Sequence, residues 1–449
     1  MAPTIMWFRR DLRVADNPAL AAAVAEAGGA ETFPVFVLDP ALLRPAGAAR
    51  TAFLAGCLDA LDAALDGRLT IVAGDPAEAI PGLARRVKAG AVFAAHDFGP
   101  YGRARDEAVG RALRDDGRRF EPCGSAYAVA PGTVRSKAGD PYRVYSAFYR
   151  AWRRIGWLPP IAPPPLTTVA GPVGRRAGRP KDRPAAELPA PGEAAAARRL
   201  AAFLGHAGRY GDERDLPGRD GTSRLSPYLR FGCLHPRQVL DRLGRTRGEE
   251  VFRRELAWRE FYADVLFHRP DSARRSLQPA MAAMEVDEGP EADRRFAAWA
   301  EGRTGYPIVD AGMRQLSAEA WMHNRVRMIV ASFLVKDLHL DWSRGARHFM
   351  RLLVDGDLAS NQHGWQWVAG TGTDPAPYFR VFNPVLQGEK FDPDGDYVRR
   401  WVPELAAVGG GAVHRPWTLP GGPPGGYPGP IVDHADERRV ALARYAAVR

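Results

Sequence analysis

Four stretches in the second half of the chain carry polar and aromatic side chains at spacings that suit ligand binding. The first runs from Gly221 to Pro227, where hydroxyl residues and Arg224 precede a candidate helix start. Ser226 is a suitable N-cap, and Pro227 fits the first helical position. Backbone N–H groups and hydroxyls at such a start can bind phosphate, which the arginine would neutralise. An ordinary capped helix explains these residues equally well.

The second and third stretches are helical patterns with a polar face. Glu255, Trp258 and Arg259 share one face of a candidate helix, because residues three and four apart are neighbours. A surface salt bridge beside a buried tryptophan is the alternative. A further helix is predicted from Trp321 to Lys336, with Trp, Asn, Arg and Met in one stripe at positions 321, 324, 325 and 328. Burying that Asn and Arg without partners would be costly, so the stripe is expected to line a cavity or bind a ligand.

The fourth stretch contains two acids and an amide. Asp355 and Asp357 are separated by one residue, and Asn361 follows. Two acids suggest a metal, but no further His, Cys or acid completes a ligand set, so no metal is predicted. Asp355 is expected to pair with Arg327, and Asp357 and Asn361 to hydrogen-bond the edge of a heterocycle. His323 alone is interpreted as a hydrogen-bonded structural histidine.

The elements that position these residues fall into two patterns. Over residues 1–130, short apolar runs alternate with alanine-rich helical patterns, which predicts an α/β domain with a parallel, Rossmann-like sheet. Its ligands would lie at the carboxyl ends of the strands, although no G-x-G-x-x-G follows the first strand. The predicted strands are 4–8, 33–38, 69–73 and 91–95, and the predicted helices are 17–27, 48–65 and 76–88.

Residues 131–195 are predicted to be an interdomain connector, because from about residue 158 to 195 prolines and then basic residues, Arg175 and Arg176 among them, replace any core-forming pattern. A solvated linker is favoured over a segment that touches DNA. Helical periodicity dominates residues 196–449, which predicts an all-α C-terminal domain. The predicted helices from residue 193 onward are 193–204, 235–243, 249–267, 307–315, 321–336 and 342–353.

Composition indicates a globular protein with a polyanionic partner. The 449 residues carry a net charge of +10, which favours nucleic acid or an anionic membrane surface, unless the source simply has basic proteins. Cys57, Cys123 and Cys233 are far apart in the chain and are interpreted as free thiols in a reducing compartment. No signal peptide and no run of the ~20 apolar residues that span a bilayer is present. A cytoplasmic location is therefore expected.

The four stretches, with the opening Trp7–Arg13 and the pair Asp16-Asn17, resemble the photolyase/cryptochrome family from about residue 4 to residue 405. The likeness is closest to its class I members that act on cyclobutane pyrimidine dimers. It implies a DNA-binding flavoprotein whose C-terminal helical domain holds a U-shaped FAD. The implied enzyme is a monomeric carbon–carbon lyase that repairs UV-damaged DNA in light, by electron transfer from reduced FAD to a flipped-out dimer.

The resemblance also assigns residues. In the implied FAD site, Thr222 to Ser226 hold the pyrophosphate, Arg327 and Asp355 pair beside the isoalloxazine, and Asn361 faces its N5. The implied FAD contacts are Tyr210, Thr222, Ser223, Arg224, Leu225, Ser226, Arg259, Trp321, Asn324, Arg327, Asp355, Asp357 and Asn361. The implied dimer contacts are Arg214, Glu255, Trp258, Asn324, Arg325, Met328, Trp367 and Arg380. The implied catalytic residues are Glu255, Asn361, Trp365 and Trp342.

Within the dimer set, Trp258 and Trp367 would stack on a lesion flipped from the duplex, which is easier to extrude than an intact pair. Glu255 would hydrogen-bond a thymine edge and stabilise the pyrimidine radical anion. Enzymes for (6-4) photoproducts have histidines at the positions of Asn324 and Met328, and cryptochromes have Asp or Cys at the position of Asn361. A cryptochrome-type photoreceptor is the signalling alternative, and a DNA-binding protein without catalysis is a third.

Two departures from the family pattern concern the chain of tryptophans that reduces the flavin and the site of the antenna chromophore. Trp365 and Trp342 match the first two members of the family's tryptophan chain, but the usual surface tryptophan falls near Gly289. The exit must therefore use another aromatic, or photoreduction is impaired. Tyr101-Gly102 replaces the Asn-Glu pair of folate-binding relatives. The surrounding segment resembles the deazaflavin-binding type, so 8-hydroxy-5-deazaflavin is the predicted antenna, with FMN, methenyltetrahydrofolate or no antenna as alternatives.

Overall fold

The computed structural model describes residues 1–173, 177–373 and 379–448. They divide into two compact units. The first unit comprises Met1–Pro184, Pro189–Gly208 and Ser223–Pro270. The second comprises Ala185–Leu188, Arg209–Thr222 and the described residues from Asp271 onward. The domain boundaries predicted after residues 130 and 195 stay a prediction, and Arg175 and Arg176 of the predicted connector lie outside the described residues.

A parallel sheet forms the centre of the first unit, with strand order β3-β2-β1-β4-β5. The strands are β1 (Thr4–Phe8), β2 (Thr32–Leu38), β3 (Thr70–Ala73), β4 (Ala91–His96) and β5 (Arg119–Ser125). Every residue of the central strands β1 and β2 is buried, which explains their continuous apolar runs. The predicted α/β class with a parallel sheet is therefore confirmed.

Helices α1–α7 and α9–α11 belong to the first unit, and α8 and α12–α19 to the second. In chain order the α-helices are α1 (Pro18–Ala27), α2 (Pro40–Leu43), α3 (Ala48–Ala64), α4 (Pro76–Arg86), α5 (Pro100–Asp115), α6 (Tyr145–Ile155), α7 (Glu193–Leu204), α8 (Tyr210–Glu213), α9 (Ser226–Phe231), α10 (Pro236–Arg242), α11 (Arg247–His268), α12 (Pro290–Ala300), α13 (Pro307–Glu319), α14 (Asn324–Lys336), α15 (Trp342–Leu352), α16 (Leu358–Ala369), α17 (Pro384–Phe391), α18 (Asp396–Trp401) and α19 (His434–Ala447). The short 3-10 helices are Ala207–Arg209, Pro270–Ala273, Pro279–Ala283, Pro403–Leu405, Gly410–His414, Pro416–Thr418 and Pro424–Gly426.

The predicted helices are present, with differences at their ends. The third stretch forms a helix only from Asn324, because Nδ1 of His323 accepts a hydrogen bond from the Arg325 N–H at 3.2 Å and caps it. Trp321 therefore precedes the helix and is not part of its stripe, whereas the hydrogen bond expected of His323 as a structural residue is present. The second stretch lies on α11, which begins with a capping box formed by Thr246 and Glu249.

The core of the second unit is built on α13–α16, and it supports the polar residues of the third and fourth stretches. Apolar residues of α14, including Val326, Val330 and Phe333, are fully buried in it. Among the described helices, none is both long and apolar enough to span a bilayer.

Candidate functional site

An ion pair joins α14 to the loop before α16. The Arg327 Nη2 lies 2.8 Å from the Asp355 Oδ2, as the sequence predicted, and its Nε donates to the carbonyl of Met322 at 2.8 Å. Asp355 is buried, and its Oδ1 has no hydrogen-bond partner in the described part of the chain. Because buried polar atoms are nearly always hydrogen-bonded, this oxygen is suited to accept an N–H from a ligand.

The amide of Asn361 is held in one orientation. Its Nδ2 donates to the carbonyl of Ala346 at 3.1 Å and to the Oε1 of Gln362 at 2.8 Å. Gln362 is fixed in turn, because its Nε2 donates to the carbonyl of Ala273 at 2.7 Å. Both contacts of the Asn361 nitrogen are with the protein, which leaves its carbonyl oxygen as the atom that can accept from a ligand. Asp357 is the N-cap of α16 and accepts from the Ser360 N–H at 3.1 Å.

The three arginines of the predicted dimer set lie in the second unit with defined partners. Arg325 makes two hydrogen bonds to the Asp215 carboxylate, at 3.3 and 3.0 Å, so its charge is balanced in the free protein. The guanidinium of Arg380 lies 5.5 Å from the ring centre of Trp367, and Lys336 donates to its carbonyl. Arg214 lies over the ring of Tyr210 at 5.5 Å, and Asn324 contacts the Sδ of Met328 at 4.0 Å. Trp321 lies in the same unit.

The first stretch does not cap its helix as predicted. Helix α9 begins at Ser226, and Leu225 already has helical dihedral angles (φ −85°, ψ −7°), so Ser226 is the first helical residue and not the N-cap. Instead, the Ser223 Oγ accepts from the Leu225 N–H at 3.3 Å. Arg224 has a φ of +47°, which turns the chain sharply before the helix. A left-handed residue beside helical ones is a backbone arrangement that can present N–H groups to an anion.

Helix α11 carries Glu255, Trp258 and Arg259, the other members of the predicted FAD and dimer sets that lie in the first unit. Arg259 donates to the carbonyls of Ala126 and Leu229, at 3.0 and 3.2 Å, which fixes its guanidinium. Trp258 stacks in parallel on Tyr145 of α6, with ring centres 3.7 Å apart and an interplanar angle of 10°. Glu255, on the same side of the helix, is half-buried.

Sequence reasoning missed Glu260, which is buried and accepts hydrogen bonds from the Val129 N–H at 3.0 Å and the Trp152 Nε1 at 2.6 Å. Burial raises the pKa of this carboxyl, and the hydrogen bonds from Trp152, Ala128 and Val129 oppose that shift. The one indication in the sequence was an acidic residue directly before the aromatic residues Phe261 and Tyr262 of α11. Glu260 ties α11 to the segment before α6.

The tryptophans of the predicted electron path lie in the core of the second unit. Trp365 packs edge-to-face against Trp299, with ring centres 6.1 Å apart, and against Phe349 at 5.0 Å. Trp342 is buried and donates from Nε1 to the Ser276 Oγ at 3.3 Å. A Cβ at Gly345 would lie 2.1 Å from the Trp365 ring, so glycine is needed for α15 to approach it. The sequence did not assign Trp299 to the electron path. The one indication was that Trp299 is the first tryptophan after Gly289, where the family's surface tryptophan would fall.

The carboxyl edge of the sheet carries the residues of the predicted antenna segment. Tyr101 donates from its hydroxyl to the Asp39 Oδ2 at 2.5 Å, and Arg105 pairs with Asp97 at 3.1 Å. Burial would raise the pKa of Asp97, but Arg105 and neighbouring arginines lower it, so the carboxylate stays charged. A Cβ at Gly102 would lie 2.1 Å from the Asp97 Cγ. The glycine therefore leaves room for a carboxylate at this edge.

No group of three or more His, Cys, Asp or Glu suited to a metal ion occurs in the residues described by the structure. Family models match both halves of the chain. A model described as "DNA photolyase" matches residues 4–166, and one described as "FAD binding domain of DNA photolyase" matches residues 252–447.

Individual proteins are similar over the whole length. A deoxyribodipyrimidine photo-lyase of Streptomyces griseus is 43% identical over 455 residues, covering 98% of both chains. The crystal structure of a bacterial class III photolyase from Agrobacterium tumefaciens is 40% identical, with a TM-score of 0.93, over 100% of this chain and 98% of that one. An archaeal photolyase from Sulfolobus tokodaii, solved with two FAD molecules, is 29% identical with a TM-score of 0.83, over 99% of each chain.

Proposed function

Because the chain belongs to the DNA photolyase family and its reaction is light-dependent repair of pyrimidine dimers in UV-damaged DNA, we propose roles for its residues in that reaction. The observations that carry the proposal are the Arg327–Asp355 pair, with its second carboxylate oxygen buried and unpartnered among the described residues, and the oriented amide of Asn361. One carboxylate oxygen and one amide oxygen remain as acceptors there, which suits the N–H groups of a reduced flavin. The class within the family stays a prediction, as do the monomeric state and the cytoplasmic location.

The FAD-binding domain identifies FAD as the cofactor. Bound and fully reduced, FAD supplies the electron that light moves to the dimer. The chain's own residues bind and orient it. The turn at Arg224 and the backbone N–H groups before α9 would hold the pyrophosphate. Arg327, Asp355 and Asn361 would set the electrostatics around the ring. The full set proposed for FAD is the one predicted from the sequence, from Tyr210 to Asn361.

The residues of the predicted dimer set are proposed to bind a dimer that is extruded from the duplex. Trp258 and Trp367 offer aromatic faces, and a damaged pair costs less to unstack than an intact one, which supports selectivity. Glu255 is placed one turn from Trp258 on α11, where its carboxyl can meet a pyrimidine edge. Arg380, stacked over Trp367, supplies positive charge beside it. Asp215 already neutralises Arg325 in the free protein. To bind a phosphate, Arg325 would therefore exchange its bonds with Asp215 for bonds to the phosphate oxygens.

The antenna is proposed to be 8-hydroxy-5-deazaflavin at the carboxyl edge of the sheet, with FMN, methenyltetrahydrofolate or none as alternatives. The bond between Tyr101 and Asp39, and the carboxylate of Asp97 beside Gly102, support a polar site at this edge. Absorption and fluorescence of chromophores extracted from protein purified from its native host would identify the antenna. A folate signal would overturn the proposal.

A matched pair of variants tests the location of the antenna. Gly102→Ala forces a Cβ onto the Asp97 carboxylate, so we expect it to lower antenna content and leave FAD content unchanged. Gly99→Ala is the control, because its Cβ would lie at an ordinary 3.5 Å from the same side chain. Equal antenna content in both variants would place the antenna elsewhere.

Repair of UV-irradiated oligothymidine by the purified, chemically reduced protein tests the function. Thymine absorbance should recover under near-UV or blue light and stay unchanged in darkness. Single- and double-stranded substrates compared in the same assay would show the strand preference. Absence of recovery despite bound, reduced FAD would contradict the repair function and favour the photoreceptor alternative.

A further inference from the structure

We infer that Tyr145 is a positioning residue for lesion recognition: it holds the indole of Trp258 in one plane and covers one of its two faces. A flipped pyrimidine then stacks on the opposite face alone. The inference rests on the proposed role of Trp258 in binding the dimer, and it adds a residue from α6 to the determinants of that binding.

The first support is the geometry of the two rings. Tyr145 and Trp258 lie nearly parallel with centres 3.7 Å apart, which is full face-to-face contact. The Tyr145 hydroxyl also donates to the carbonyl of Arg254 at 2.7 Å. Arg254 lies one turn before Trp258 on α11. Tyr145 therefore binds both the backbone and the indole of the same segment, so the two rings cannot shift independently.

The second support is the way in which α6 is anchored. One turn after Tyr145, the Tyr149 hydroxyl donates to the Glu250 carboxylate at 2.5 Å. Further along α6, the buried Trp152 donates to the Glu260 carboxylate at 2.6 Å. Both acids belong to α11, one before and one after Trp258, so two hydrogen bonds join α6 to the part of α11 that carries the indole. The position of the Tyr145 ring is therefore set by the packing of two helices.

The other ring contacts of Trp258 differ in kind. Phe261 meets it edge-on, at 73° and 5.7 Å, and Tyr262 is tilted by 49° at 5.3 Å. Neither ring lies parallel to the indole. Because Tyr145 already restricts the Trp258 side chain in the free protein, little rotamer freedom remains to be lost when a base stacks on it. Such pre-organisation should appear as affinity for the lesion and not as a faster chemical step.

The test is binding of a dimer-containing oligonucleotide in darkness by the FAD-loaded protein. Tyr145→Ala should raise the Kd for the lesion about threefold to tenfold, the range expected for losing an aromatic pair. Tyr145→Phe, which keeps the ring, should stay within about twofold of the unchanged protein. In both variants the Kd for undamaged DNA and the repair per flash at saturating dimer should not change.

Control variants distinguish the role inferred for Tyr145 from the proposed role of Trp258 in dimer binding. Trp417→Ala removes a half-buried aromatic ring that packs on Tyr306 in the second unit, so lesion affinity should be kept. Trp258→Ala should weaken lesion binding, and the double variant with Tyr145→Ala should be no weaker. If Trp258→Ala binds the lesion normally, the stacking role of Trp258 and the inference both fail.

If Trp258→Ala weakens binding but Tyr145→Ala does not, or binds the lesion more tightly, the inference alone fails. Tighter binding would mean that Tyr145 covers the face that the lesion needs. Should Tyr145→Ala not fold, Tyr145→Leu keeps an apolar side chain without a ring face, and the same outcomes apply to it.

Discussion

Arg327 and Asp355 form an ion pair in which only one of the two carboxylate oxygens is used, at 2.8 Å, while the other is buried without a partner in the described chain. The arginine compensates the buried charge. Replacing Arg327 by Met should lower the free energy of unfolding by about 3 kcal/mol, because it leaves the carboxylate without its partner. It should also lower FAD content, measured as flavin absorbance per protein.

The control for this prediction is Arg314→Met. Arg314 makes two bonds to Glu404, at 2.6 and 3.0 Å, in the same unit but outside the predicted flavin set. We expect that variant to lose stability and keep its FAD. Similar loss of FAD in both variants would show that Arg327 acts only through stability.

The second prediction concerns the oriented amide of Asn361. In Asn361→Asp a carboxylate would face two oxygens, from Ala346 and Gln362, that now accept hydrogen bonds. Stability should fall by about 2 kcal/mol, the cost of unsatisfied buried acceptors. Illumination with a reductant should also give a smaller fraction of fully reduced flavin, which absorption spectra can measure.

Gln366→Glu is a matched control for that change. Gln366 lies on the same helix, is fully buried and donates from its amide to the carbonyls of Ser272 and Arg275. It should lose comparable stability without altering flavin reduction. If it alters reduction as much as Asn361→Asp does, the effect is not specific to the flavin site.

The third prediction is that Trp365→Phe slows photoreduction in a reductant solution but leaves repair by chemically reduced enzyme nearly intact. Trp365 is buried among aromatic rings and is the first member of the electron path implied by the family. Flash photoreduction rates and repair yields measure the two properties separately. Equal photoreduction in the variant and the unchanged protein would exclude this path.

The fourth prediction assigns part of the electron path beyond Trp365 to Trp299, because the two rings pack edge-to-face with their centres 6.1 Å apart. Trp299→Phe and Trp342→Phe should each slow photoreduction partly, and the double variant should slow it more than either. Trp417→Phe, in the same unit and packed on Tyr306, is the control. A normal rate in Trp299→Phe would leave Trp342 as the route.

The fifth prediction is acid sensitivity from two histidines. Burial lowers the pKa of His348 and of His363 to about 4. Each stays neutral in the folded state while the unfolded state takes up a proton below pH ~6.5, so stability is full above that pH and falls toward pH 4. His348→Leu should reduce this decline by up to about 3 kcal/mol, measured by denaturant unfolding at several pH values. An unchanged decline would contradict the assignment.

Much of the fold follows from local patterns. Strands β1 and β2 were predicted because their runs are largely apolar, and the structure buries every residue of both. Helix α5 and strand β5 were not predicted; β5 is one of the two edge strands and has no buried residue, so it lacks an apolar pattern. The residue types of the FAD and lesion sets were identified by resemblance, and the Arg327–Asp355 pair was expected from charge alone.

Contacts between distant residues were decided only by the tertiary structure. Cys57 and Cys233 are far apart in sequence, yet their Sγ atoms lie 3.5 Å apart in the core. Tyr145 meets Trp258, and Trp299 meets Trp365, because packed helices bring those rings together. Spacing along a chain determines which residues share a helix face or strand. Which two faces meet depends on the packing of whole elements, and a single sequence records that only indirectly.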